Sequence, residues 1–243
     1  MQRNIYIRII VILLIAILSF ECSKNGTEFE ENTHFDFVLY DGLTLNDISD
    51  ISEELESNYQ RIVNDLQVQD MPHVTARIWA NYDNFLTAME ADLGVRYNGA
   101  TGYVFGMEEF RIYYINPAPL TALHEFAHLV SMQINESIPN NPRWLWEAVA
   151  LYESRDFINP ITLPYMVSGN YPTMEELNID YNSSNHSVYS VGYIILEYIR
   201  QIWGMDAVIR LIETNGNTEY ILGLTVQEFE SGWYQFIEEE YLN

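Results

Sequence analysis

His124 and His128 stand four residues apart with Glu125 beside the first of them, in the run His124-Glu125-Phe126-Ala127-His128. Neutral imidazole nitrogens bind zinc at about 2.0–2.1 Å, and on an α-helix a four-residue step rises about 6 Å while coming back to nearly the same face. Two rings spaced in this way can close on one ion, and a carboxylate one step round can face a water beside it. The chemistry that follows is metal-assisted hydrolysis.

Such an ion keeps three protein ligands and one open position when it is catalytic, so a further donor is required. Glu147 supplies it, with 18 residues between it and His128, in the stretch PRWLWEAVALYE that begins at Pro142. A helix starting near Arg143 can cross the first one and aim a carboxylate at the same point.

The elements that must position these groups can be read from hydropathy spacing. Residues 47–68 carry apolar side chains at Ile48, Ile51, Leu55, Tyr59, Ile62, Val63 and Leu66, which predicts an amphipathic helix ending before Pro72. Residues 73–79 alternate as a strand does, and residues 81–93 read as a helix with a polar cap. Residues 103–105 and 110–115 form a predicted hairpin across Gly106-Met107-Glu108-Glu109. Asn116-Pro117-Ala118-Pro119 ends it and launches the histidine helix over residues 120–133. Helices are predicted further on at 143–154, 174–177, 187–203, 205–214 and 226–241. Strands first and helices afterwards make an α+β plan, not an alternating βαβ one.

Of the 243 residues 48% are apolar, a globular composition, and the net charge of −24 excludes nucleic acid as a partner. At the N-terminus Arg3 and Arg8 precede an apolar run over residues 9–20, then Glu21 and Cys22. Residues 1–22 therefore read as an export signal, too short for a comfortable membrane span. Cys22, the only cysteine, stands where bacterial lipoproteins are acylated, although Glu21 replaces the small residue usual before it. The expected location is the bacterial cell envelope with a lipid anchor on the membrane; a secreted or signal-anchored form is the other possibility. Acidic residues 23–46 read as a tether, and residues 47–243 as the folded domain.

The paired motifs resemble those of the gluzincin metallopeptidases, and more closely the peptidase MA-like domain. HEFAH, the 18-residue gap and PRWLWEAVALYE are similar to HExxH followed by P-x-W-L-x-E-G-x-A-x-Y, with Ala148 in place of the glycine and Leu151 where a polar residue is common. The likeness extends over roughly residues 73–236. It implies a zincin-like fold and a zinc peptidase acting on peptides or proteins. One Zn²⁺ would be held by His124, His128 and Glu147, with Glu125 as general base toward a metal-activated water. Family members stabilise the oxyanion with a Tyr or His from a later helix. Tyr189 matches the tyrosine position, and His186 lies three residues before it, so either is the expected donor. The competing expectation is a zincin-fold binding or scaffold lipoprotein without turnover.

Overall fold

The computed structural model describes residues 26–31, 34–115, 117–179 and 186–243. The expected signal segment and Cys22 lie outside the described residues. Among the described residues no helix is long and apolar enough to cross a membrane.

The first half of the chain builds a sheet. Its elements are β1 (Gly26–Glu31), β2 (Phe35–Tyr40), α1 (Ser49–Asp65), β3 (Val74–Trp79), α2 (Tyr82–Leu93), β4 (Gly102–Phe105) and β5 (Glu109–Tyr113). Five strands lie in the order β1-β2-β3-β5-β4, with β2, β3 and β5 parallel and the two edge strands antiparallel to their neighbours. The histidine helix α3 (Ala118–Ile134) follows, then α4 (Arg143–Glu153), the short α5 (Pro164–Val167) and α6 (Met174–Leu177), and α7 (Val188–Trp203). Helices α8 (Met205–Glu213), α9 (Thr218–Leu222) and α10 (Val226–Ile237) complete a mainly helical second half.

Two expectations need correction. Residues 23–46 are not a tether throughout, because they contain β1 and β2, and Phe35, Phe37 and Leu39 on β2 are fully buried. Each such side chain taken out of water contributes about 1.5–3 kcal/mol, enough to hold an acidic stretch in the core. Because β2 belongs to the sheet, α1 is a crossover between parallel β2 and β3. The first half therefore does contain a βαβ unit.

Alternation along the strands gives the sheet two apolar faces. Phe35, Phe37, Leu39, Val74, Ala76, Ile78, Phe110 and Ile112 join one core with α1 and α3, while Tyr40, Trp79 and Tyr103 meet Phe85, Leu86 and Met89 of α2 on the other. The α2 side also carries a chain of ion pairs, from Arg77 to Glu109 at 2.8 Å, from Glu109 to Arg111 at 2.7 Å, and from Arg111 to Asp92. Helix α3 is buried on most sides, lying between the sheet and α4.

Helices α4 and α7 pack in close contact. A Cβ on Gly192 would stand 3.1 Å from the Ala148 Cα and 2.7 Å from Leu151 Cδ1, so the two backbones meet where both side chains are smallest. Smallness on α7 leaves room for Ala148. Gly192→Leu is expected to overpack this contact, lowering stability by about 1–3 kcal/mol in denaturant titrations. Because α4 must move away, metal affinity should fall with it, by equilibrium dialysis.

Candidate metal centre and cleft

Four residues expected at the site converge where α3, α4 and β4 meet. The sequence turns His124 and His128 to one side of α3, their rings edge-to-face with centroids 4.6 Å apart. Across from them α4 delivers Glu147, whose Oε2 is 3.2 Å from His124 Nε2 and 3.5 Å from His128 Nε2. One ligand atom from each of the three residues falls within 4.8 Å of the others, and the group could hold a metal ion. A tetrahedral site with bonds of about 2.0–2.1 Å has donors about 3.3 Å apart, so the two His–Glu separations already match its edges.

Neighbours fix these donors. The indole of Trp146 stacks on the His128 ring, 3.8 Å between centroids and 10° from parallel. Tyr189, on the first turn of α7, donates its hydroxyl proton to Glu147 Oε1 at 2.9 Å. Oε2 thus faces the histidines while Oε1 is held from behind. Arg143 donates to the Tyr189 oxygen at 3.3 Å and lies 3.8 Å from Glu147 Oε1. His128 Nδ1 is buried with no hydrogen-bond partner among the described residues.

Glu125 points to the cleft beside the ligand group and is itself buried. Gly102 of the edge strand β4 comes so near that a Cβ there would lie 2.4 Å from Glu125 Oε1. The cleft, about 850 Å³, runs along β4 and is walled by apolar side chains including Leu93, Val95, Tyr97 and Ile115.

Electrostatics separates the two carboxylates. Burial pushes the Glu125 pKa up to about 8, opposed by His124 and reinforced by the charge on Glu147. Burial also disfavours the charge on Glu147, but hydrogen bonds with His124 and His128 outweigh it and hold the carboxyl well below the usual range. For His128 burial wins and brings the pKa down to about 4, against the pull of Glu147. His124 is desolvated too, yet its contact with Glu147, together with Glu125 and Asp156, raises it. A permanent anion and a proton carrier, set side by side by their environments, are the usual division of labour in acid–base sites.

No family model matches this chain, and no curated protein matches it.

His186 is not brought to the site. Helix α7 begins at Val188 behind the cap Ser187, so His186 precedes the helix and its three-residue spacing from Tyr189 does not put the two on one helix face. Its ring packs 4.8 Å from that of Tyr165, with Nδ1 3.6 Å from Glu176 Oε1. His34 and His73 sit elsewhere, beside Glu56 and Asp36. Three contributors were not visible as such in the sequence: Gly102, Arg143 and Trp146. Arg143 alone carries a detectable signal, since it precedes Glu147 by four residues on a helix and so shares its face.

Proposed function

We propose that this protein is a zinc-dependent peptidase of the gluzincin kind with a zincin-like fold, hydrolysing peptide bonds in the cleft along β4. The observation that carries the reading is the convergence of His124, His128 and Glu147 beside Glu125 in an open cleft. Two nitrogens and one carboxylate oxygen suit zinc, and the two His–Glu separations, 3.2 and 3.5 Å, fit the edges of a tetrahedral site. The ion, when bound by these three residues, supplies a Lewis acid that polarises the scissile carbonyl and makes water a better nucleophile near neutral pH.

The remaining work falls to the chain's own groups. Glu125 takes a proton from the attacking water and hands it to the leaving amine. The Tyr189 hydroxyl donates to the carbonyl oxygen as negative charge develops there. Trp146, stacked on the His128 ring, keeps that ring aimed. A peptide-library digest comparing wild type with Glu125→Gln, at equal zinc content, tests the reading. Cleavage is expected to vanish in the variant; equal cleavage by both defeats the mechanism, and absence of cleavage by either favours a scaffold.

Strand β4 is an edge, paired to β5 on one side only. An extended substrate is expected to add to its free side through backbone hydrogen bonds. Hydrogen exchange with the Glu125→Gln variant and a bound peptide should slow at residues 102–105, and unchanged exchange there argues against this docking mode. The same reading extends to location, an exported cell-envelope protein lipid-anchored at Cys22. Mass spectrometry of the mature N-terminus should find an acylated Cys22.

A further inference from the structure

Tyr189 has one hydroxyl proton and two claims upon it. In the structure it goes to Glu147 Oε1 at 2.9 Å, the oxygen facing away from the histidines. For the phenol to donate to a substrate oxygen, that bond must be released. Glu147 is buried, so its Oε1 would be left as an acceptor with no donor. Such a loss would cancel much of what Tyr189 gains at the substrate.

Arg143 stands ready beside both groups. It occupies the same face of α4 as Glu147, four residues earlier, with Nη2 3.8 Å from Oε1 and 3.3 Å from the Tyr189 oxygen. Its guanidinium carbon lies over the Tyr189 ring, 5.7 Å from its centre, so the cation and the phenol are in contact range. A guanidinium has five N–H donors, and Nε here is buried without a hydrogen-bond partner among the described residues. Closing by about 1 Å brings Nη2 to the length of about 2.7–2.9 Å usual for a charge-assisted bond to a carboxylate.

We propose that Arg143 is a positioning residue that takes over Glu147 Oε1 when the Tyr189 hydroxyl turns to the substrate. No covalent bond changes in this exchange. One hydrogen bond passes from phenol to guanidinium, and Glu147 keeps a donor behind it throughout the reaction. The inference rests on the peptidase reading and deepens it, since Tyr189 acts at the substrate only because Arg143 can replace it.

The test is a double-mutant cycle on the zinc-loaded protein, read with a fluorogenic peptide that the wild type cleaves. Arg143→Met is expected to lower kcat by about 10–100-fold, the usual cost of losing a group behind a ligand, with KM and zinc content within about threefold of wild type. Arg143→Lys, whose ammonium can reach the same oxygen, should recover part of that loss. In a Tyr189→Phe background Arg143→Met should cost less than about threefold more, because no hydroxyl remains to be replaced. Equal losses in both backgrounds overturn the exchange, as does loss of zinc from Arg143→Met, which would make Arg143 a resting-state support for Glu147. If Arg143→Met does not fold by circular dichroism, Arg143→Lys and Arg143→Gln carry the same comparison. A wild type that cleaves nothing removes the peptidase reading and the exchange together; an active wild type with independent variants removes the exchange alone.

Discussion

Gly102→Ala is expected to lower peptide turnover about 100-fold or more while leaving the fold and zinc binding close to wild type. The added Cβ would stand 2.4 Å from Glu125 Oε1, 2.8 Å from its Cγ and 2.9 Å from its Cδ. Van der Waals contact needs roughly 3.5 Å, so the carboxylate must retreat by about 1 Å, and a misplacement of that size can cost about two orders of magnitude in rate. What yields is the far end of a flexible side chain and not backbone, so the structural cost is small. Gly102 does not have a positive φ, and alanine is the better strand former, so nothing else about the substitution is unfavourable. The measurement is kcat together with zinc stoichiometry and the melting temperature. Full activity in Gly102→Ala would mean that Glu125 does not work from the position it occupies. A parallel fall in melting temperature and zinc content would mean that the strand, not the base, had been disturbed.

That result also bears on how much of the site the sequence disclosed. The ligand trio was legible because its chemistry demands fixed residue types at helical spacing, and His124, Glu125, His128 and Glu147 come together accordingly. Tyr189 reached the site by resemblance alone, whereas His186, three residues earlier in sequence, lies before the start of α7 and packs elsewhere. Gly102, one residue before the predicted strand at 103–105, was not singled out for the site. Its role lies in what is missing, a Cβ facing another element, and one-dimensional spacing does not encode that approach. In the fold, α1, β3, α2, the hairpin and the long helices followed from periodicity. Strand β2 escaped for a different reason. Phe35-Asp36-Phe37 alternates as a half-buried strand should, but Glu28, Glu30, Glu31 and Asp36 made the stretch read as solvated. Helices α5 and α9, of 4 and 5 residues, are little more than one turn long and were not read, whereas α6, as short, was read at residues 174–177.

Arg61→Met is expected to destabilise the protein by about 3–5 kcal/mol at pH 8 and by much less at pH 5. Arg61 on α1 donates from Nη1 to Glu153 Oε2 at 2.6 Å and from Nη2 to the Glu153 carbonyl at 2.5 Å, tying α1 to the end of α4. The Glu153 side chain is wholly buried, and its Oε1 has no hydrogen-bond partner among the described residues. Burial drives its pKa up to about 7; Arg61 and Arg200 oppose the rise, and Asp65 adds to it. The folded pKa therefore lies above the unfolded value of 4.5, and the folded state holds the proton more tightly. The contribution to stability is complete below about pH 4.5 and is lost as pH rises through about 7, with a slope of at most about 1.4 kcal/mol per pH unit. At pH 8 the carboxylate is charged and Arg61 is its closest counter-ion, so removing the guanidinium leaves an uncompensated buried charge. At pH 5 the carboxyl is neutral and only hydrogen bonds are lost. Urea titrations of wild type, Arg61→Met and Glu153→Gln across pH 5–8 separate these terms, since Glu153→Gln should lose the part of the pH slope that Glu153 contributes. An Arg61→Met deficit that stays constant with pH would show that Arg61 acts by packing and not by charge.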